Sequence, residues 1–180
     1  MSKIGRKPIS LKDLTVDIKG QEVHFKGKKS AGVYVLPPFI KPAMQDKMLT
    51  LTLSESQRGH KKFWGMHRAL LANELIGASD GFEKKLQING LGFKAIAAGS
   101  KVTFSLGFSH KIDLELPKEV TLEIDKTGQQ LIFRSANKFL LGQVCDTVRS
   151  FRPPEPYKGT GIKLSTEVII RKAGKTKSSA

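Results

Sequence analysis

Between residues 85 and 106 the sequence reads KLQINGLGFKAIAAGSKVTFSL, and this stretch decides the fold class. Three short segments, 85–88, 93–97 and 101–106, combine apolar and β-favouring residues. Asn89-Gly90 and Ala98-Gly99-Ser100 separate them. Short apolar segments divided by such turn-forming residues predict consecutive strands joined by tight turns.

Towards the C-terminus, three more strands are predicted at 112–115, 121–124 and 131–134. A helix is predicted from about Lys138 to Arg149, with Asn137 as its N-cap, because apolar residues recur there at helical spacing. Pro153-Pro154 prevents the helix from continuing. A last strand is predicted at 167–171, before a basic tail.

Towards the N-terminus, residues 14–27 predict a hairpin that turns at Gly20-Gln21. Residues 31–48 are predicted to be irregular because Pro37, Pro38 and Pro42 interrupt them, and 48–53 form another strand. The spacing of Ser54 and Gln57 is that of a capping box. A helix follows over 63–76, with Gly77 as its stop.

The two halves resemble each other, because each ends its strands in one amphipathic helix. The predicted fold is α+β, with two tandem related domains. Each consists of small antiparallel β-sheets plus one α-helix around a single core. The predicted bounds are 1–81 for the N-terminal α+β domain with its basic arm, 82–172 for the C-terminal α+β domain, and 173–180 for the basic tail.

Positive charge dominates the composition. Lys and Arg number 31 against 16 Asp and Glu, giving a net charge of +15 and a pI near 10.0. Such an excess calls for a polyanionic partner, and nucleic acid is favoured over membrane. No apolar run approaches the roughly 20 residues of a spanning helix, and the N-terminal residues do not resemble a secretory signal. The single cysteine, Cys145, fits a reducing compartment and a place in the core.

The segment 151–163, FRPPEPYKGTGIK, is the strongest candidate binding element. Its prolines stiffen an extended backbone, and Gly159 and Gly161 would allow a phosphate to approach closely. Tyr157 offers a flat face to a base or ribose. The same segment could equally be a helix-to-strand loop with solvated lysines. The charge around it favours binding, since residues 157–180 hold six basic residues and one acid, Glu167.

No catalytic constellation is predicted. Asp113 and Glu115 lie two apart on a strand and so face the same side, but solvent-facing charge explains them better than an acid–base pair. His60 and His67 are too far apart for an adjacent-turn metal pair. His110 has no evident orienting carboxylate, so an RNA contact or a turn role is favoured. Nucleotide-loop, CxxC and HExxH motifs are absent from the sequence.

Several pieces, in order, resemble the bacterial-type large-subunit ribosomal protein six family. They are IGRKPI at 4–9, HRALLAN at 67–73, GFEKKLQINGLGFKA at 81–95, LGFSH at 106–110, NKFLLGQV at 137–144 and RPPEPYKGTGIK at 152–163. The sequence departs from the family's pattern at Thr160, Leu164 and Lys111. The resemblance implies two copies of one fold. It also implies that the second domain and tail hold large-subunit rRNA near the sarcin–ricin loop and stalk base, with the first domain further out.

The protein is therefore expected to be a non-enzymatic constituent of the cytoplasmic ribosome of a bacterium, or of an organelle, without cofactor or metal. Its expected partners are 23S-type rRNA and neighbouring large-subunit proteins, with no membrane and no small-molecule substrate. The predicted RNA-binding residues are Arg149, Arg152, Tyr157, Lys158, Gly159, Gly161, Lys163, Arg171 and Lys172, together with Lys138 and His110. Two alternatives remain at this point, a free-standing nucleic-acid-binding regulator and a nuclease that uses Asp113 and Glu115.

Overall fold

The computed structural model describes residues 2–53 and 59–174. Within them the chain divides into two compact units. Unit 1 comprises residues 1–82 and 136–138, and unit 2 comprises 83–135 and 139–180. In the described part of the chain, no helix is both long enough and apolar enough to cross a membrane.

Unit 1 contains two three-stranded antiparallel sheets and a long helix. The elements are β1 (Ile9–Ser10), β2 (Thr15–Lys19), β3 (Glu22–Lys26), β4 (Ala31–Val35), β5 (Ile40–Gln45), β6 (Met48–Leu53) and α1 (Lys61–Ser79). One sheet has the order β1-β6-β5 and the other β2-β3-β4. Buried side chains of both sheets and of α1 form one hydrophobic core. Trp64 belongs to it, and its indole Nε1–H donates to the Leu51 carbonyl at 3.0 Å.

Unit 2 repeats this arrangement and extends it. Its elements are β7 (Phe82–Asn89), β8 (Lys94–Ala98), β9 (Lys101–Ser105), β10 (Ile112–Glu115), β11 (Val120–Ile124), β12 (Gln130–Ser135), α2 (Lys138–Phe151) and β13 (Gly161–Leu164). The first residues of β7 and α2, Phe82 and Lys138, fall in unit 1. The sheets have the orders β10-β9-β8 and β11-β12-β7-β13. The strand orders of unit 1 recur six strands later along the chain, with β13 added at the edge beside β7. The predicted α+β fold with two related copies is confirmed.

Of the strands predicted in the second half, the five between residues 93 and 134 are confirmed within one residue, and the one at 85–88 is confirmed as part of the longer β7. The 14–27 hairpin is also confirmed, with Val16 paired to Phe25. Cys145 is buried in α2, as predicted. Its burial raises the pKa of the thiol to about 11, so the thiolate is scarce at neutral pH.

The prediction that 31–48 is irregular is wrong, because β4 and β5 both lie there. Pro37 and Pro38 fall between these strands. Pro42 pairs with Leu51 across to β6, but β5 is an edge strand. An edge strand tolerates a proline, because on its outer side there is no neighbouring strand whose carbonyl needs a backbone N–H.

The ends of the helices also differ from the prediction. Gly77 lies inside α1, which continues to Ser79. Gly81 is the glycine that ends it: its φ is +73° and its N–H donates to the Ile76 carbonyl at 3.1 Å, as a C-terminal capping glycine does. The second helix runs two residues past the predicted Arg149, to Phe151. The predicted capping box at 54–57 lies outside the described residues.

The predicted strand at 167–171 is wrong. That segment has no strand partner, and Val168 and Ile170 are 88% and 85% exposed. The last strand is instead β13, which pairs antiparallel with β7 and sets Gly161 opposite Asn89. Exposed β-branched residues resemble a strand in the sequence, but a strand also needs a free sheet edge.

Candidate nucleic-acid interface

The Pro/Gly segment forms a closed loop between α2 and β13. The Glu155 N–H donates to the Thr160 carbonyl at 3.0 Å, and the Thr160 hydroxyl donates to the Glu155 carboxylate at 2.6 Å. At its base the Ile162 N–H donates to the Arg152 carbonyl at 2.8 Å. These bonds leave a four-residue tip, 156–159. Tyr157, 57% exposed, and Lys158, also exposed, lie on this tip.

The C-terminal segment returns to the same tip. The Lys172 N–H donates to the Pro156 carbonyl at 2.8 Å. The Arg171 guanidinium lies 3.6 Å from where a Cβ on Gly159 would be. Both basic side chains are exposed. The structure therefore brings together four predicted residues, Tyr157, Lys158, Arg171 and Lys172, which we call the tip surface.

The two glycines of the segment differ in their surroundings. Gly159 is buried beside Arg171, with φ +73°. Gly161 has φ +134°, and a Cβ there would lie 2.6 Å from the Pro153 carbonyl oxygen and 2.8 Å from the Pro154 Cα. Gly161 thus permits the loop to close on itself. Phosphate approach at Gly159 stays a prediction.

Arg149 is engaged inside unit 2. Its Nε donates to Glu167 Oε2 at 2.9 Å and its Nη2 to Oε1 at 2.5 Å, a two-point pair in which both residues are half-buried. The hydrogen bonds from Arg149 hold the pKa of Glu167 below its usual range. The pair ties the end of α2 to the segment after β13. This is a structural role that the sequence interpretation did not foresee.

Arg152 is engaged as well. Its Nη1 donates to the Leu106 carbonyl. Its guanidinium carbon lies 4.8 Å from the centroid of Phe93 and 5.0 Å from that of Phe108. Guanidinium groups interact favourably with aromatic faces at this range. Arg152 therefore connects the α2–β13 loop to two neighbouring loops of the unit.

His110 extends this arrangement. Its ring is stacked on Phe108, with centroids 5.9 Å apart and planes inclined by 19°. We call Phe93, Arg152, Phe108 and His110 the ring ladder. The sequence interpretation missed Phe93 and Phe108. The signal available in the sequence was that each phenylalanine directly follows a glycine, Gly92 or Gly107. In the structure these glycines have φ of +73° and +76°.

The remaining predicted residues are Lys163 and Lys138, which belong to different units. Lys163 is half-buried on β13, opposite Gln87. Lys138 belongs to unit 1, where its ammonium donates to Asn73 Oδ1 at 3.2 Å and lies 5.5 Å from the Phe82 centroid. The N-terminal arm also belongs to unit 1, and Arg68 donates to the Lys7 and Pro8 carbonyls at 3.0 and 2.9 Å.

Comparison with known proteins gives a second, independent indication of the protein family. A sequence profile described as Ribosomal protein L6 matches residues 89–164, from the end of β7 to the end of β13. Among curated proteins, Large ribosomal subunit protein uL6 of Helicobacter hepaticus is 41% identical over 98% of both chains. Proteins of the same name from Methylacidiphilum infernorum and Myxococcus xanthus are 42% and 43% identical, again over 98% of each chain. The chain belongs to the ribosomal protein L6 family.

Membership of the L6 family agrees with the prediction that the chain is not an enzyme, because the family is structural. Of the two carboxylates considered for catalysis, Asp113 has a local role. Asp113 accepts from the Thr103 hydroxyl at 2.7 Å and pairs with Lys101 at 2.9 Å, and these contacts hold its pKa below the usual range.

The histidines of α1 and its N-terminal boundary also have local roles. His67 Nδ1 lies 2.9 Å from the Tyr34 hydroxyl, and His60 stacks on Phe39 with centroids 4.7 Å apart. Within residues 2–53 and 59–174, no group of three or more His, Cys, Asp or Glu could hold a metal ion.

Proposed function

We propose that this chain is a structural constituent of the large ribosomal subunit in the bacterial cytoplasm and that it binds large-subunit rRNA. The observation that carries the proposal is the 41–43% identity, over almost the whole chain, to proteins named for that subunit. A net charge of +15 supports an RNA partner, because a polyanion relieves the mutual repulsion of so many cations.

We assign the principal RNA contact to the tip surface. Lys158 presents charge from a loop whose backbone is already ordered by its own hydrogen bonds, and Arg171 and Lys172 present charge from the C-terminal segment that is hydrogen-bonded to this loop. Pre-ordering reduces the entropy cost of binding. Lysine and arginine neutralise phosphates, and the exposed Tyr157 stacks on a base or bonds to a ribose. Lys163 contributes charge beside the loop.

Arg149 and Arg152 have a structural role, because their guanidinium groups bond to Glu167 and to the Leu106 carbonyl within unit 2. The partner of the tip surface is rRNA near the sarcin–ricin loop and the base of the stalk. This placement follows from the family resemblance. In the same proposal residues 82–172 are the rRNA-binding domain and 173–180 a basic tail along phosphates. The domain 1–81 lies further out, beside neighbouring ribosomal proteins. Lys138 does not take part in the RNA contact.

Sedimentation tests the assignment to the subunit. Tagged full-length chain is expressed in its host, and lysate is run on sucrose gradients after EDTA has separated the subunits, at low and at moderately high salt. The proposal predicts that the tag follows the large subunit under both conditions. A tag that stays at the top of the gradient would exclude ribosomal membership and favour a free-standing RNA-binding protein.

A further inference from the structure

The ring ladder has one covered end and one exposed end. At the covered end, a Cβ on Gly90 would lie only 2.4 Å from Phe93 Cδ2, so the backbone of Gly90 is packed against that ring. Gly107 contacts the same ring, since its Cβ would lie 2.7 Å from Phe93 Cε1. At the other end, Phe108 is 45% exposed and His110 is exposed.

The ladder is also held laterally. Arg152 lies between the two phenylalanines and its Nη1 donates to the carbonyl of Leu106, at the start of the loop that carries Phe108 and His110. The neighbouring Phe151 ring meets Phe104 edge-on, with centroids 5.5 Å apart, which fixes the end of α2 on β9. His110 therefore rests on a supported aromatic series. It is the last ring of that series among the described residues.

The chemistry of the exposed end suits a flat ligand. Aromatic side chains gain most from another π face laid parallel to them and offset. Stacking between a base and an aromatic ring is a main source of affinity for unpaired RNA. The guanidinium of Arg152 already contacts the rings of Phe93 and Phe108. What the ring ladder offers to a partner is therefore chiefly the flat face of an aromatic ring.

We propose that His110, supported by Phe108 and Arg152, is a stacking surface for an unpaired nucleobase of the bound RNA. This inference rests on the proposed function and adds to it the kind of group recognised. It gives unit 2 two distinct contacts: phosphates at the tip surface and a splayed-out base at the ring ladder.

Three substitutions at His110 separate stacking from other roles. Full-length His110→Ala, His110→Gln and His110→Phe are measured against deproteinised large-subunit rRNA from the host by filter binding over a range of KCl concentrations. Ala and Gln both remove the ring, and both should weaken binding about tenfold. The dependence on salt should stay unchanged, because every phosphate neutralised by the unsubstituted chain is still neutralised. Phe keeps an aromatic face and should bind within about twofold of the unsubstituted chain.

His60→Ala is the matched control, because His60 is also an exposed histidine stacked on a phenylalanine, but in unit 1. It should leave RNA affinity unchanged. Full affinity in His110→Ala would overturn the proposal, and so would full affinity in His110→Gln combined with weak binding by His110→Phe, which would indicate hydrogen bonding. If the unsubstituted chain fails to bind this rRNA, the proposed function fails first.

Discussion

At the scale of single residues, five of the basic residues predicted to bind RNA fall into two groups. Arg149 and Arg152 lie where α2 ends, and both are bonded to groups of the same unit. Lys158, Arg171 and Lys172 are exposed. The exposed group can bind phosphates without first breaking internal bonds of the kind that hold Arg149 and Arg152. Substitution in the exposed group should therefore change RNA binding, whereas loss of an internal bond should change stability.

Lys158→Ala should reduce the salt dependence of rRNA binding. Removing one lysine–phosphate interaction lowers the slope of log K against log salt concentration by about one. Filter binding to deproteinised large-subunit rRNA at several KCl concentrations measures this, and Lys163→Ala is expected to act in the same direction. Lys126→Ala, at an exposed lysine on the β11–β12 turn, is the control. Equal slopes for Lys158→Ala and the unsubstituted chain would contradict the role of Lys158.

Glu167→Gln should lower stability at neutral pH and not in acid. The folded-state pKa of Glu167 is depressed by Arg149. The pair therefore contributes stability that is fully present above the ordinary glutamate pKa of about 4.3 and disappears as pH falls through the lower folded value. We expect a decrease of about 1 kcal/mol in the free energy of unfolding at pH 7.

Urea denaturation at pH 7 and at about pH 3 measures this difference. Asp17→Asn is the control, because Asp17 and Lys19 form an exposed pair at 3.9 Å, and such pairs add little to stability. A stability difference between Glu167→Gln and the unsubstituted chain that is equal at both pH values would show that the carboxylate charge plays no part.

At the scale of elements, the α2–β13 loop depends on the absence of a side chain at one position. Gly161→Ala should destabilise the protein by about 3 kcal/mol, because the new Cβ would lie 2.6 Å from a backbone oxygen and φ is +134°. Gly20→Ala is the matched control. Its φ is +62° but nothing lies within 4 Å of the new Cβ, so about 1 kcal/mol is expected. Thermal unfolding compares the two, and equal destabilisation would contradict the packing argument.

The elements that could be predicted are those with local signals. Alternation and turn residues located β7 to β12, and Pro153-Pro154 explains why α2 stops just before them. Pro42 misled the prediction, because the sequence does not show which strand lies at a sheet edge. Similarly, the sequence showed that residues 157–180 hold six basic residues and one acid, Glu167. It could not indicate that Glu167, 18 residues away, pairs with Arg149.

At the scale of the whole molecule, a repeated fold has acquired different surfaces in its two copies. Both units contain the same order of six strands and a helix. After the helix, unit 2 adds β13 and the segments on either side of it, which carry the tip surface. In the described part of unit 1, no strand follows α1 and pairs in this way. The difference between the copies is the structural reason for placing RNA binding in unit 2.

Directed hydroxyl-radical cleavage from the tip surface tests the placement of RNA binding most directly. An iron chelate is tethered to Lys158→Cys in assembled large subunits. Lys41→Cys in unit 1 serves as the comparison, and the buried Cys145, with its thiol pKa near 11, should not react. We predict strong cuts in large-subunit rRNA from position 158, clustered near the sarcin–ricin loop, and weak or distant cuts from position 41. Strong cuts from position 41 with none from position 158 would contradict this placement.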